Sequence, residues 1–562
     1  MIHLDFESRS EIDIFASGGF VYATSPTTEV LCLVYAIDEQ EPVLISYDEI
    51  RSGMVEEFHV ELFDRIRSGD QVFAHNALFE TLIWKHIMVD KYGWLEIDPK
   101  QWRCTAAKAA SYTLPRSLDK CGKALGTDNQ KSWQGKNTMM KMCKPRPAWK
   151  EKGEGDKWFA DDGDFEKLYQ YCKDDVKCER DIDKTLANLM PFEQEVWFLD
   201  QKINQRGIHI DVSAVESALL LLSHYTEKLH KETLEITNGQ IDKVSKRARV
   251  QEWMAEKGVV LENYQQATVQ RAIEEGTLPS DVQRLLEIRM QINKISTKKY
   301  LAIKNGLCDD DKIRDILVYH GASTGRWTGK LVQMQNLPKG SVKDTQTCID
   351  VMKMGDLDFF ESLYPDVMGS ISSCIRGMFV ASPGKELVVA DYSAIEARVV
   401  LWLAGDYAGV DKFERGEDLY VDMAKAIYQK SEVTKEERQL GKVAILGSAY
   451  GMGANKFQAT CKMWGMDIGE EMAQKAITTY RLVYEKVVKF WYKLEEDAIF
   501  ATRYGKKGNW SKEGDFLFVK LPSGRRLCYP YPQIKSVVTP WGATKDALTY
   551  MGVTSMTNQW ER

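Results

Sequence analysis

The sequence predicts an α/β domain over its first third and a helix-rich region with short strands over the remainder. Two observations carry this. Apolar runs at residues 1–6, 72–80 and 386–404 read as strands that meet carboxylates and, in the last two, pass at once into helical patterns, and residues 191–301 keep a helical period with few glycines. At 562 residues, 44% of them hydrophobic and 28% charged, the chain has room for roughly three or four domains. Its eleven cysteines form no CxxC pair, which fits a reducing compartment and argues against a disulfide framework or a structural zinc site. No apolar run approaches the roughly 18 residues of a membrane span and no signal-peptide pattern opens the chain, so a cytoplasmic protein is expected. The net charge of -7 does not by itself point to nucleic acid, but acidic sites can mask basic tracks in such a sum.

The first strand carries Asp5 and Glu7 two residues apart and therefore on one face. Two like charges held so close are costly unless a cation lies between them. Val72, Phe73 and Ala74 lead past His75 and Asn76 to Glu80, a strand running into a helix with a carboxylate near the junction. Residues 169–176 read as a helix on which Tyr171 and Asp175, four apart, share a face. Taken singly, each is equally well a solvated acid, a capped helix or a surface tyrosine. In this order they resemble the motifs of DEDD 3′-to-5′ exonucleases in their tyrosine-bearing form. The resemblance implies a ribonuclease H-like α/β fold with a mixed sheet over residues 1–190. It also implies metal roles for Asp5, Glu7, Glu80 and Asp175, and a water-orienting role for Tyr171. Two magnesium ions, or manganese in their place, would stabilise both the attacking and the leaving oxygen of a phosphodiester. Glu80 stands where that family usually has aspartate.

Residues 116–152 are lysine-dense and glycine-punctuated, with Trp133 and Trp149 interleaved. Such a tract suits single-stranded nucleic acid, with aromatics stacking on bases and lysines neutralising phosphates; a solvated loop has the same composition. Farther on, the basic segments 243–249 and 289–299 lie on the long helical region, as a clamp on duplex phosphates would require. Then Gly321 to Lys330 is small, polar and cationic, with Thr324, Gly325 and Arg326 at its centre, and Gln335, Asn336 and Pro338 follow. Glycines there allow close backbone approach. Together these segments resemble the Thr-Gly-Arg and Gln-Asn-x-Pro segments of family A DNA polymerases, which implies primer-template contacts for Thr324, Arg326, Gln335 and Asn336.

The apolar run Leu387, Val388 and Val389, rich in β-branched residues, is expected as a strand ending on Asp391, where sheets place ligand chemistry. With Glu396 and Arg398 it resembles motif A of the same family. That resemblance implies a metal-binding Asp391, a Glu396 that closes the pocket against a ribose 2′-hydroxyl, and an Arg398 near DNA. Ala394 departs from the family's usual glutamine. Thr434 and Glu437 form a capping box opening a helix on which Arg438, Lys442, Leu446 and Tyr450 share a broad face. Two cations followed by two larger side chains suit a triphosphate and then a sugar and base, and the helix resembles motif B. Arg438 and Lys442 would grip the incoming deoxynucleotide, with Leu446, where an aromatic is usual, and Tyr450 at the insertion site.

Family A polymerases carry a further palm carboxylate in a His-Asp-Glu segment. No histidine follows His320 in this sequence. The expectation is therefore a large part of a split or shortened phage-like polymerase, with no 5′-nuclease domain ahead of the exonuclease and a second polypeptide supplying the absent palm motif. The expected layout is exonuclease 1–190, thumb and start of palm 191–345, palm 346–415, fingers 416–500, and a returning segment 501–562, in an α+β hand whose palm is incomplete. Two magnesium ions per site, primer-template DNA and deoxynucleoside triphosphates are the implied ligands. Competing readings are a stand-alone exonuclease with a DNA-holding hand, and a non-enzymatic DNA scaffold.

Overall fold

The computed structural model describes residues 1–130, 133–147, 157–294, 297–539, 542–554, 557 and 559–562. Two compact units result, Met1–Leu387 and Val388–Arg562. Their boundary falls inside the stretch expected as one palm segment, 346–415.

The first unit opens with five strands: β1 (Ile2–Arg9), β2 (Glu29–Ile37), β3 (Val43–Ile45), β4 (Val72–Ala74) and β5 (Trp102–Cys104), paired in the order β3-β2-β1-β4-β5. β1 runs antiparallel to β2 and parallel to β4, and β4 is parallel to β5, so the sheet is mixed. Alternation along β1 sends Ile2, Leu4 and Phe6 into one apolar core with Leu33, Phe63 and Trp84. The opposite face of β2 presents Cys32, Val34 and Ala36 to Cys172 and Val176 of the Asp162–Thr185 helix. That helix starts with Asp162 and Asp164 and ends with Lys184, charges that complement its dipole. Its buried stripe, Leu168, Tyr171, Cys172, Asp175, Val176 and Glu179, follows the 3.6-residue period.

The rest of this unit is mainly helical. Pro191 begins the Pro191–Arg206 helix at a position where its absent N–H costs nothing, and Asp211 caps Val212–Ile236 through Ala214 N at 3.1 Å. Leu221, Leu285, Tyr300 and Ile371 share one core, in which the Tyr300 hydroxyl donates to Ile371 O at 2.7 Å. Phe379–Val380, Ile208–Ile210 and Lys312–Ile313 pair as a small antiparallel sheet.

The second unit packs helices from Ile395–Leu403 to Glu470–Val483 around Leu401, Met423, Leu440, Phe457 and Tyr480. The Glu485–Tyr504 helix then leads into antiparallel strands Lys506–Lys507, Trp510–Glu513, Phe516–Lys520 and Arg526–Pro530. One expectation is corrected here: residues 386–391 form no strand. Leu387, Val388 and Val389 are 54%, 91% and 90% exposed, and among the described residues no strand pairs with them. Without a partner the backbone groups of this run satisfy themselves in solvent, and β-propensity has nothing to act on.

Candidate functional site

Asp5 and Glu7 leave β1 on one face, and the Asp162–Thr185 helix brings Asp175 to them. One ligand oxygen from each of the three lies within 4.8 Å of the other two. The register of β1 against β2 shifts between Glu7 and Ser8, a bulge that locally re-aims side chains beside the cluster. Tyr171, one turn before Asp175, is buried against Leu31, Met142 and Leu168. Glu80, on the Leu78–Ile83 helix, lies outside that trio. Burial first, and the Asp5 charge second, push its carboxyl well above the usual range, and its Oε2 has no hydrogen-bond partner among the described residues. Burial disfavours the charged form of such a carboxyl, and a cation beside it would favour that form.

Residues without a sequence signal hold this cluster. The Cys172 thiol donates to Asp5 O and Oδ2, both at 3.3 Å. Behind it, His3 lies 3.7 Å from Glu179 and 3.8 Å from Asp183, and Lys108 bonds Asp183 at 2.5 Å. Burial lowers His3 to about 4, so the ring is neutral at pH 7, and burial likewise pushes Glu179 well up. Glu179 is one turn beyond Asp175 and Asp183 one turn beyond that. The same four-residue spacing that links Tyr171 to Asp175 marks both.

The second set of candidate residues lies on two packed helices of the second unit. The Thr434 hydroxyl accepts from Glu437 N at 3.2 Å and Glu437 Oε2 from Thr434 N at 2.9 Å, which starts the Lys435–Ser448 helix as the capping box predicts. Gly441 lets this helix press against the backbone of the Leu419–Tyr428 helix at Tyr420 O. Arg438 Nε bonds Asp418 Oδ2 at 2.7 Å, and the charges of Arg438 and Lys442 lie 5.4 and 6.0 Å from the Tyr420 ring centre. Leu446 is half-buried and Tyr450, just past the helix, is 69% exposed.

Asp391 is exposed in the loop ahead of the Ile395–Leu403 helix. Ala394 enters that helix with φ at 52°, a left-handed conformation. The Arg398 guanidinium donates to Ser393 O at 2.8 Å and stacks 4.2 Å from the Phe413 ring centre, while Glu396 occupies the first helical turn. In the first unit, Thr324 and Arg326 are exposed on a turn that Ala322 N closes onto Arg326 O at 3.1 Å, with Gly325 at φ 84°. Trp327 Nε1 donates to the buried Asp200 at 2.8 Å. Gln335 and Asn336 are exposed on the 3₁₀ turn Met334–Asn336.

The basic segments are used locally. Arg289 donates to Val244 O, Arg247 and Arg289 face the Tyr264 ring, and Lys299 Nζ bonds Val332 O at 2.5 Å. Lys243, Lys246 and Arg249 are exposed. Of the tract 116–152, Trp149 and the Trp133 side chain lie outside the described residues. Among the described residues no helix is long and apolar enough to cross a membrane.

A family model described as DNA polymerase family A matches residues 221–505. A DNA polymerase of Bacillus phage SP02 is 34% identical over an alignment of 570 residues, covering 98% of this chain and 85% of that protein. DNA polymerase I of Aquifex aeolicus is 34% identical over 116 residues, 20% of each protein. A DNA polymerase of Mycobacterium phage D29 is 32% identical over 126 residues, 22% of this chain and 20% of the relative. Among solved structures, the POL domain of Pol1 from M. smegmatis, in complex with DNA primer-template and dNTP, has a TM-score of 0.55 at 16% identity, over 93% of this chain and 78% of that one.

Proposed function

The chain belongs to DNA polymerase family A, and on that premise we propose that it extends a primer by template-directed deoxynucleotidyl transfer and trims the primer 3′ end at a separate exonuclease site. The observation that carries the trimming reading is the gathering of Asp5, Glu7 and Asp175 within 4.8 Å, with the Glu80 carboxyl buried and raised in pKa by that burial and by the Asp5 charge. On this reading residues 1–190 are a ribonuclease H-like DEDD exonuclease. Hard oxygen donors at this density suit magnesium, or manganese in its place. Asp5, Glu7, Glu80 and Asp175 would hold two such ions, which supply Lewis-acid stabilisation of the phosphodiester oxygens when bound. Tyr171, on the same helical face as Asp175, orients the attacking water by its hydroxyl. Cys172 fixes the Asp5 carboxylate through its thiol.

For synthesis, Arg438 and Lys442 take the triphosphate, Leu446 and Tyr450 border the sugar and base, and Glu396 closes the pocket to a 2′-hydroxyl. Asp418 and Tyr420 hold Arg438 in place until a more highly charged ligand competes for it. Thr324, Arg326, Gln335 and Asn336 contact primer-template. Arg398 braces the loop that carries Asp391, itself a metal ligand. A strand partner for residues 386–391, bearing the further palm carboxylate, comes on this reading from a second polypeptide; the exposed Leu387, Val388 and Val389 support it. The protein then works in the cytoplasm, that of the host if phage-encoded.

The decisive experiment is primer extension with this chain alone and with an added short polypeptide carrying a His-Asp-Glu segment, run beside degradation of a single-stranded oligonucleotide. Degradation by the chain alone and extension only by the pair are expected. Extension by this chain unaided would overturn the shared-palm reading. Failure of magnesium to support degradation would return the first unit to a DNA-holding role.

A further inference from the structure

Gly135 lies in the first turn of the Trp133–Met142 helix, buried, with an ordinary helical backbone. Nothing in its conformation calls for glycine, which has the lowest helix propensity of any residue but proline. What calls for it is its neighbour. A Cβ at position 135 would lie 2.5 Å from Tyr171 Cδ2, 2.7 Å from Tyr171 Cβ and 2.8 Å from Tyr171 Cγ. All three distances are shorter than carbon atoms tolerate, and they span the root and edge of one side chain. Thr138 and Met142, one and two turns along, continue the same buried stripe against the Asp162–Thr185 helix.

We propose that Gly135 is a positioning residue for the exonuclease reaction: its bare backbone is the wall that sets the Tyr171 ring, and so sets where the Tyr171 hydroxyl meets the attacking water. This rests on the exonuclease reading of Asp5, Glu7, Glu80 and Asp175. Tyr171 is 1% exposed and enclosed by Leu31, Leu168 and Met142, so a ring pushed away from position 135 has no empty side to move into. It must either rotate or carry its own helix with it. A shift of about 1 Å in a group that aligns a nucleophile can cost on the order of a hundredfold in rate while leaving substrate affinity alone.

The test is the full chain degrading a 5′-labelled single-stranded oligonucleotide in magnesium, with kcat and KM measured for the wild type, Gly135→Ala, Tyr171→Phe and the double variant. Phenylalanine keeps the ring and the collision but removes the hydroxyl. If Gly135 acts through that hydroxyl, Gly135→Ala lowers kcat roughly ten- to hundredfold with KM within about twofold. The double variant is then no slower than Tyr171→Phe alone. A Gly135→Ala kcat equal to wild type overturns the proposal, as does a double variant in which the two losses multiply, since the damage would then reach the site by another route. The melting temperature reads the collision independently. It falls, to the point of lost folding if the wall is rigid, whereas alanine at an unhindered helix glycine raises it; a rise overturns the proposal too. Asp5→Ala with Glu7→Ala is measured alongside: full activity there sinks the exonuclease reading itself, while its loss with Gly135→Ala unaffected sinks only the role of the glycine.

Discussion

Asp5→Asn isolates charge from shape at the carboxylate cluster, because asparagine keeps an oxygen to accept from the Cys172 thiol. Each of the three ligand oxygens of Asp5, Glu7 and Asp175 lies within 4.8 Å of the others. Two unit charges at that separation repel by about 3.5 kcal/mol at an effective dielectric of 20. Neutralising Asp5 cancels two of the three pairs. Asp5 is partly exposed, and solvent screens much of the repulsion, so a net gain of roughly 1–3 kcal/mol is expected. At about 2–4 °C per kcal/mol for a large domain, the metal-free transition should rise by roughly 2–12 °C. The assay is thermal unfolding of the full chain in EDTA and again in magnesium. Wild type should melt lower than Asp5→Asn in EDTA and gain markedly from magnesium, and the variant should gain little. A variant less stable than wild type in EDTA, yet protected by magnesium to the same degree, would refute the cation cradle.

Four further outcomes are expected. Asp5→Ala with Glu7→Ala should abolish degradation of single strands and spare primer extension by the reconstituted pair, and Asp391→Ala should do the reverse; a variant that removes both activities together would speak for a single site. If Arg438 grips the triphosphate as proposed, Arg438→Ala removes one charge-assisted bond worth about 2 kcal/mol, so KM for the incoming nucleotide should rise roughly thirtyfold in steady-state extension while primer-template affinity holds. Glu396→Ala should let ribonucleotides compete in the same assay, and unchanged discrimination would remove Glu396 from the pocket wall. Asp200, raised to about 6 by burial despite the bonds from Trp327 and Gln201, is costly when ionised. That cost, up to about 3 kcal/mol, is present above pH 6 and fades as pH falls toward 4. Asp200→Asn should therefore unfold at higher denaturant concentration than wild type at pH 7.5 and at nearly the same concentration at pH 4.5; a constant difference across that range would show that the titration of Asp200 is not its source.

What could be read from the sequence, and what could not, divides by distance along the chain. Asp5 and Glu7 are fixed to one face by the two-residue period of a strand, Tyr171 and Asp175 by the four-residue period of a helix, and Thr434 with Glu437 by a cap that closes on itself. Each is a local geometry, and each appears where its spacing put it. Cys172 and Gly135 had no such mark. Their work depends on which strand and which helix they meet, and a cysteine or glycine carries no pattern that names its neighbour. Glu179 lay between these cases: its spacing from Asp175 was visible, but only packing against His3 and Thr105 separates it from a solvated acid. The misread stretch, 386–391, makes the same point from the other side. Glu29–Ile37 and Leu387 to Val389 are both mainly apolar and contain β-branched residues, yet the first is a strand because β1 and β3 close its hydrogen bonds, while the second is open chain because nothing described does. A strand is a property of a pair. The composition of residues 386–391 suits a paired strand, and among the described residues none pairs with it. If a second polypeptide supplies that strand, as proposed, hydrogen exchange at residues 387–391 should show new protection when it is added, and unchanged exchange would count against that proposal.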